Sequence, residues 1–157
     1  MDKTLVMKIL DQKKINYKIH DYINSNLVDA VSVANFLNEN PSKVFKTLVT
    51  VGKSKNHYVF LVPSNKTLDL KKASKVVDEK NIELIHQKEL LSLTGYIHGG
   101  CSPIGMKKTF PTVIDSSAAS FDTIFISGGK IGYQIEINPN DLIPLIKGKL
   151  FDISKDM

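Results

Sequence analysis

The chain has 157 residues, 42% of them hydrophobic and 24% charged, and 21 basic against 16 acidic side chains leave a formal charge of +5. A chain of this length buries roughly two thirds of its unfolded surface, which excludes disorder as the main description and any need for disulfides or a structural metal to complete a core. One cysteine (Cys101), four histidines without metal spacing and no apolar run near the roughly 18 residues of a membrane span exclude a disulfide framework, a cysteine-rich zinc site and a spanning helix, so the expectation is one soluble, cytoplasmic domain over 1–157 with no metal and no cofactor.

In chain order, Leu5, Ile9 and Leu10 predict a short helix beginning after Asp2, followed by a strand through Tyr17 and Ile19 toward Tyr22. Val31, Ala34 and Leu37 mark a second helix, stopped by Asn38-Glu39-Asn40-Pro41. Phe45 to Val51 and His57 to Pro63 read as a hairpin across Gly52-Lys53-Ser54-Lys55-Asn56. Asp69 is placed to cap a helix that buries Leu70, Ala73, Val76 and Val77, and Ile82 to Ile85 is a short strand. A helix over Lys88 to Leu93 should end with Gly95 as its left-handed cap. Gly99 to Gly105 is an irregular loop, because Gly-Gly and Ser-Pro cannot sit so close together in a helix. Thr112 to Ile114, Thr123 to Ser127 and Tyr133 to Ile137 read as strands, the last two joined by a turn at Gly128-Gly129-Lys130; a short helix through Asp141, Leu142, Leu145 and Ile146 and a strand from Leu150 to Ile153 complete the chain. Hairpins with helices inserted between them, rather than regular βαβ alternation, predict an α+β fold: a mixed, largely antiparallel, partly barrel-like sheet flanked by helices.

Three features could carry chemistry. Lys46 interrupts a strand-like run in which period-two geometry puts Lys46, Leu48 and Thr50 on one face and Phe45, Thr47, Val49 and Val51 on the other. It is either a lysine on a wet face or a rigidly mounted ammonium in a cleft, and spacing does not choose between them. The Gly99 to Gly105 loop is either a structural surface loop or a concavity lined by backbone N–H groups that would receive a carbonyl oxygen or a phosphate. Neither it nor Ser127-Gly128-Gly129-Lys130-Ile131-Gly132 matches the phosphate-loop pattern, and the latter reads as a tight hairpin turn. Cys101 has His98 three residues before it, but adjacency in a flexible loop does not supply an oriented base, so Cys101 reads as a packing residue or pocket wall.

Taken together, Val44-Phe45-Lys46-Thr47-Leu48-Val49, Thr94-Gly95-Tyr96 with Gly99-Gly100-Cys101-Ser102-Pro103-Ile104-Gly105-Met106-Lys107-Lys108, and Ile126-Ser127-Gly128-Gly129-Lys130 resemble the signatures of the YbaK/EbsC family, free-standing relatives of the editing domain inserted in bacterial prolyl-tRNA synthetases. The resemblance covers nearly the whole chain in the same order. It implies deacylation of a mischarged tRNA, chiefly cysteinyl-tRNA for proline, in which the substrate's own thiol attacks its ester carbonyl and no protein nucleophile is needed. It also implies Lys46 as the essential lysine, Thr47 beside it, Tyr22 as an aromatic residue at the pocket mouth, Gly99, Gly100, Cys101 and Ser102 as the loop that approaches the carbonyl, and Ser127 as a polar group facing the substrate. The alternatives are a deacylase for another mischarged tRNA, alanyl or seryl, that uses water, and a non-catalytic module that binds tRNA or a synthetase.

Three departures from the family pattern stand out. Ile23-Asn24-Ser25 replaces a His-Asp-Pro stretch in a segment two residues shorter, Leu27 or Val28 stands where an aromatic pocket residue is usual, and Ile131 replaces the arginine usual after Gly-Gly-Lys. Every basic side chain in the sequence is lysine. The resemblance turns attention from that total to its placement: Lys107, Lys108 and Lys130 flank the glycine-rich elements where a tRNA acceptor end would enter. Ammonium point charges predict weak, salt-dependent backbone contact that is indifferent to base sequence. The expected partners are the acceptor end of mischarged tRNA and, as a candidate, prolyl-tRNA synthetase, with no membrane.

Overall fold

The computed structural model describes residues 2–157. Helix α1 (Leu5–Gln12) starts where the Thr4 hydroxyl accepts the Met7 N–H. Its buried stripe is Val6, Met7 and Leu10; Leu5, expected inside, is more than half exposed. Strand β1 (Tyr17–Asp21) leads to α2 (Ala30–Phe36), capped by the Asp29 carboxylate on the Ser32 N–H. The hairpin β2 (Phe45–Gly52) and β3 (His57–Pro63) follows, then a strand that the sequence did not announce, β4 (Lys66–Leu68). Asp69 caps α3 (Leu70–Val76) as expected, but Leu70 faces solvent and Ala73 and Ser74 are the buried positions.

Strand β5 (Ile82–Leu84) and a 3₁₀ turn at Gln87–Glu89 precede α4 (Leu90–Thr94), which ends at left-handed Gly95. After the glycine-rich loop come β6 (Thr112–Asp115), β7 (Ile124–Ser127), β8 (Tyr133–Ile137) and α5 (Pro139–Leu145). The expected last strand is split into β9 (Lys149–Phe151) and β10 (Ser154–Asp156). The break has a cause: the Ile153 N–H turns away from the ladder to the buried Asp115 carboxylate, which also receives the Ser117 hydroxyl.

The strands form an antiparallel trio β1-β8-β7, a five-stranded sheet β5-β2-β3-β6-β9, and an antiparallel pair β10-β4. Only the β3-β6 and β6-β9 pairings are parallel, so the sheet is mixed and largely antiparallel. It does not close into a barrel: the trio and the large sheet are joined by a single parallel bridge, Val44 to Phe125. Strand β3 organises the interior, because it lies between β2 and β6 and is apolar on both faces. Val59 and Leu61 join the main core with α1 and the trio, whereas Tyr58, Phe60 and Val62 join a second core with Ala73, Ile82 and Ile153.

Candidate functional site

Beyond the Val44–Phe125 bridge, no ladder among the described residues covers the outer edge of β2 until β5 pairs with it at Thr50. A cavity of about 280 Å³ lies along that open stretch, bounded by the start of α2, Ser64 after β3, Leu90 of α4, the loop at His98 to Cys101, Ser127 of β7 and Gln134 of β8. The cavity wraps the edge of β2 rather than lying on one face. This is why Phe45, Lys46, Thr47 and Leu48 all line it, although alternate residues point to opposite faces of the sheet. The same edge carries main-chain groups. The Val49 carbonyl accepts the Ile85 N–H on this side, and Thr47, two residues earlier, presents its N–H and C=O in the same direction.

Lys46 is half-buried, and burial holds its ammonium pKa below the ordinary lysine value of 10.5. No carboxylate among the described residues forms an ion pair with it. Lys46 is thus a half-buried, strand-mounted cation that lines the cavity, with no ion-pair partner among the described residues. Two acceptors beside it also lack partners, the Thr47 Oγ1 and the Oε1 of Gln134, a residue only 6% exposed. An orphaned, buried acceptor costs about 1–3 kcal/mol, which is tolerated where a ligand satisfies it. The sequence reading missed Gln134, because a glutamine on an alternating strand carries no spacing signal.

Of the residues singled out from the sequence, the fold brings Lys46, Thr47, Gly99, Cys101 and Ser127 to this one cavity. Ser127 Oγ accepts the Gly129 N–H, which shapes the turn while the hydroxyl proton stays available. Tyr22, Gly100 and Ser102 do not line it. Tyr22 is pinned at the end of β1 by its N–H to the Gly132 carbonyl and is 2% exposed, so it is not at the mouth. Gly100 is glycine because the backbone of Lys130 and Ile131 passes 3.1–3.3 Å from where a Cβ would stand. Ser102 is fully buried and its hydroxyl accepts the Ile104 N–H inside the loop.

Val28, not Leu27, takes the pocket position before α2, and it converges with Ile131 on Gly99. A Cβ on Gly99 would stand 2.4 Å from one Val28 methyl and 3.3 Å from Ile131. Two of the sequence departures thus form one apolar clasp at the rim.

The cavity contains no assembled protein nucleophile. Burial pushes the Cys101 thiol up to about 12, and no hydrogen bond joins it to His98, although both line the cavity. Ser64 donates its hydroxyl to the Pro41 carbonyl rather than to a base. What the site offers is one ammonium, unpaired acceptors, and main-chain groups at an open strand edge. The ammonium and the main-chain N–H suit holding a carbonyl group and stabilising charge that develops on it, while the acceptors suit a hydrogen-bond donor beside it. Of the surface lysines, Lys130 is exposed beside Gly100, Lys107 donates its N–H to the Thr94 carbonyl, and Lys108 lines a separate cavity with Phe110 and Lys147.

The aminoacyl-tRNA editing domain model matches residues 24–145. A protein of Enterococcus faecalis (strain ATCC 700802 / V583), which carries the proposed name Cys-tRNA(Pro)/Cys-tRNA(Cys) deacylase EbsC, is 42% identical over 153 residues, covering 97% of this chain and 93% of its own. Among solved structures, a hypothetical protein superposes with a TM-score of 0.87 at 20% identity over 96% of this chain and 99% of its own. A protein described as a proposed trans-editing enzyme for prolyl-tRNA synthetase superposes with a TM-score of 0.85 at 24% identity, over 96% and 94%. At those identities the two structures show a shared fold.

Proposed function

This chain belongs to the aminoacyl-tRNA editing domain family, and we propose that it clears cysteine from mischarged proline tRNA, the whole of 1–157 acting as one editing unit in the cytoplasm beside prolyl-tRNA synthetase. The observation that carries the reading is a cleft with an unpaired cation and no activated protein nucleophile. Cysteine and proline are similar in bulk, and a synthetic pocket separates near-isosteres by only about 1–3 kcal/mol, so a second site must test another property. The thiol is that property.

In the proposed reaction the substrate sulfur, as thiolate, attacks its own ester carbonyl. A C–S bond forms, the C–O bond to the tRNA breaks, and the departing 3′-oxygen takes up a proton; water then opens the cyclic thioester. Tethering the nucleophile to its target gives it a high effective molarity, which leaves positioning and electrostatics to the protein. Lys46 stabilises the oxyanion. Thr47 Oγ1 and Gln134 Oε1 accept hydrogen bonds from the substrate's α-ammonium, which ends their isolation. Lys130, Lys107 and Lys108 attract the acceptor-end phosphates, Lys108 from the rim of the separate cavity. With cysteinyl-tRNA for proline as substrate, the protein should accelerate ester loss and Lys46→Ala should remove at least about a hundredfold of that rate; a Lys46→Ala variant as fast as the parent overturns the assignment.

A further inference from the structure

The catalytic cavity has a neighbour that this reaction does not use. Gln87 and Lys88 from the 3₁₀ turn, Leu91 on the outer face of α4, and Ile97 and His98 beyond it line a shallow groove of about 410 Å³. His98 also lines the catalytic cavity, so the two adjoin across this residue. Leu91 is 56% and Ile97 52% exposed, two large apolar side chains of one groove that stand in solvent among the described residues. None of the five lining residues is acidic, and Lys88 is exposed at the edge.

We propose that this groove seats the single-stranded 3′ end of the tRNA, the nucleotides that precede the esterified one. The inference rests on the deacylase reading above. A cavity of about 280 Å³ is at the small end of the ligand-site range and accommodates the aminoacyl group with little beyond its own nucleoside, so the preceding nucleotides must leave across the rim. A nucleobase is a flat apolar surface with a polar edge, and single strands are held by stacking their bases on apolar or aromatic side chains while cations follow the phosphates. Leu91, Ile97 and the imidazole of His98 provide the surface. Lys88 provides the charge, and Gln87 a hydrogen-bonding group for a base edge. Such contacts tolerate any base, so they serve for holding the strand and not for choosing among tRNAs.

The test compares two substrates on the same variants. Leu91→Glu, Ile97→Glu and the double variant change exposed side chains, so the fold should keep its melting temperature. Against full-length cysteinyl-tRNA for proline the double variant should raise KM about tenfold or more with kcat little changed, while kcat/KM for a cysteinyl ester of adenosine, which has no preceding nucleotides, stays within about twofold of the parent. A parallel fall on both substrates, or no change on either, overturns the proposal. So does a normal isolated tRNA reaction with loss of stimulation only when prolyl-tRNA synthetase is added, which would give the groove to a protein partner. A second arm does not depend on catalysis: a dye-labelled, uncharged RNA tetramer with the tRNA 3′ sequence should bind the parent and lose about tenfold in affinity in the double variant. Equal binding overturns the groove, whereas a parent that binds the tetramer but fails to cleave the ester overturns the functional reading alone.

Discussion

Replacing Gly99 by alanine tests the rim of the cavity through two separable penalties. Gly99 sits at φ +87°, a left-handed conformation that costs an L-residue about 1–2 kcal/mol. The new methyl would also stand 2.4 Å from Val28 Cγ1 and 3.3 Å from Ile131 Cγ1, against a comfortable carbon separation of about 3.5–4.0 Å. Val28 is β-branched and cannot swing its methyl away freely, so either the segment before α2 or the glycine loop must shift, adding about 1 kcal/mol or more. The expected total is about 2–3 kcal/mol in urea unfolding. Because Gly99 shares the cavity with Lys46, the same shift should slow deacylation of cysteinyl-tRNA by about ten- to a hundredfold. Val28→Ala removes the 2.4 Å contact, so in the Val28→Ala/Gly99→Ala pair most of the steric part should disappear, leaving the closer approach to Ile131 and about 1–2 kcal/mol of backbone strain. A Gly99→Ala variant as stable as the parent, or a double variant with no coupling between the two positions, would show that Gly99 is not clasped by Val28.

Other expectations follow from the buried groups. Lys46→Met should abolish deacylation yet stabilise the fold by about 1 kcal/mol at neutral pH, because it removes an unpartnered half-buried charge. The sign follows from the lowered pKa: the cost of the charge is complete below the folded-state value and disappears as pH rises toward 10.5, so the gain over the parent should shrink in alkaline unfolding curves. Cys101→Ala should keep most activity, and with the thiol pushed up to about 12 the native protein should react with iodoacetamide at least about a hundredfold more slowly than the urea-unfolded chain. For Asp115, burial raises the pKa, but hydrogen bonds led by that from Ser117 and followed by that from the Ile153 N–H outweigh it and leave the value below 3.8. Its contribution is therefore present above the unfolded-state value and lost as pH falls through the folded one, and Asp115→Ala should cost about 2 kcal/mol in urea at neutral pH and progressively less in acid.

The hairpin from Phe45 to Pro63 was legible to within a residue because its apolar runs and its Gly-Lys-Ser-Lys-Asn turn agree with one another. Asp69 and Gly95 were legible because capping is local chemistry. Leu5 and Leu70 were misplaced because the helices they open are short, and a first-turn apolar residue on a helix of seven or eight residues has little to pack against. The split between β9 and β10 depends on Asp115, a contact across 38 positions that no window can see. At the site, the residue runs and the family resemblance brought out Lys46, Thr47, Gly99, Cys101 and Ser127. Period two could not reveal that the cavity turns around the edge of β2, since that depends on where the trio parts from the large sheet. Gln134 became visible only as an acceptor without a partner, and Tyr22 and Ser102 only as buried groups that do not line the cavity.

In the proposed reaction a substrate thiol does the work of a nucleophile that the protein does not supply. Single-turnover deacylation of cysteinyl- and seryl-tRNA for proline, measured side by side with the Cys101→Ala variant, tests it most directly. Rapid loss of the cysteinyl ester is expected, with a seryl ester that decays at the uncatalysed rate. Comparable rates on the two esters, or a Cys101→Ala variant inactive on both beside an active parent, would contradict it.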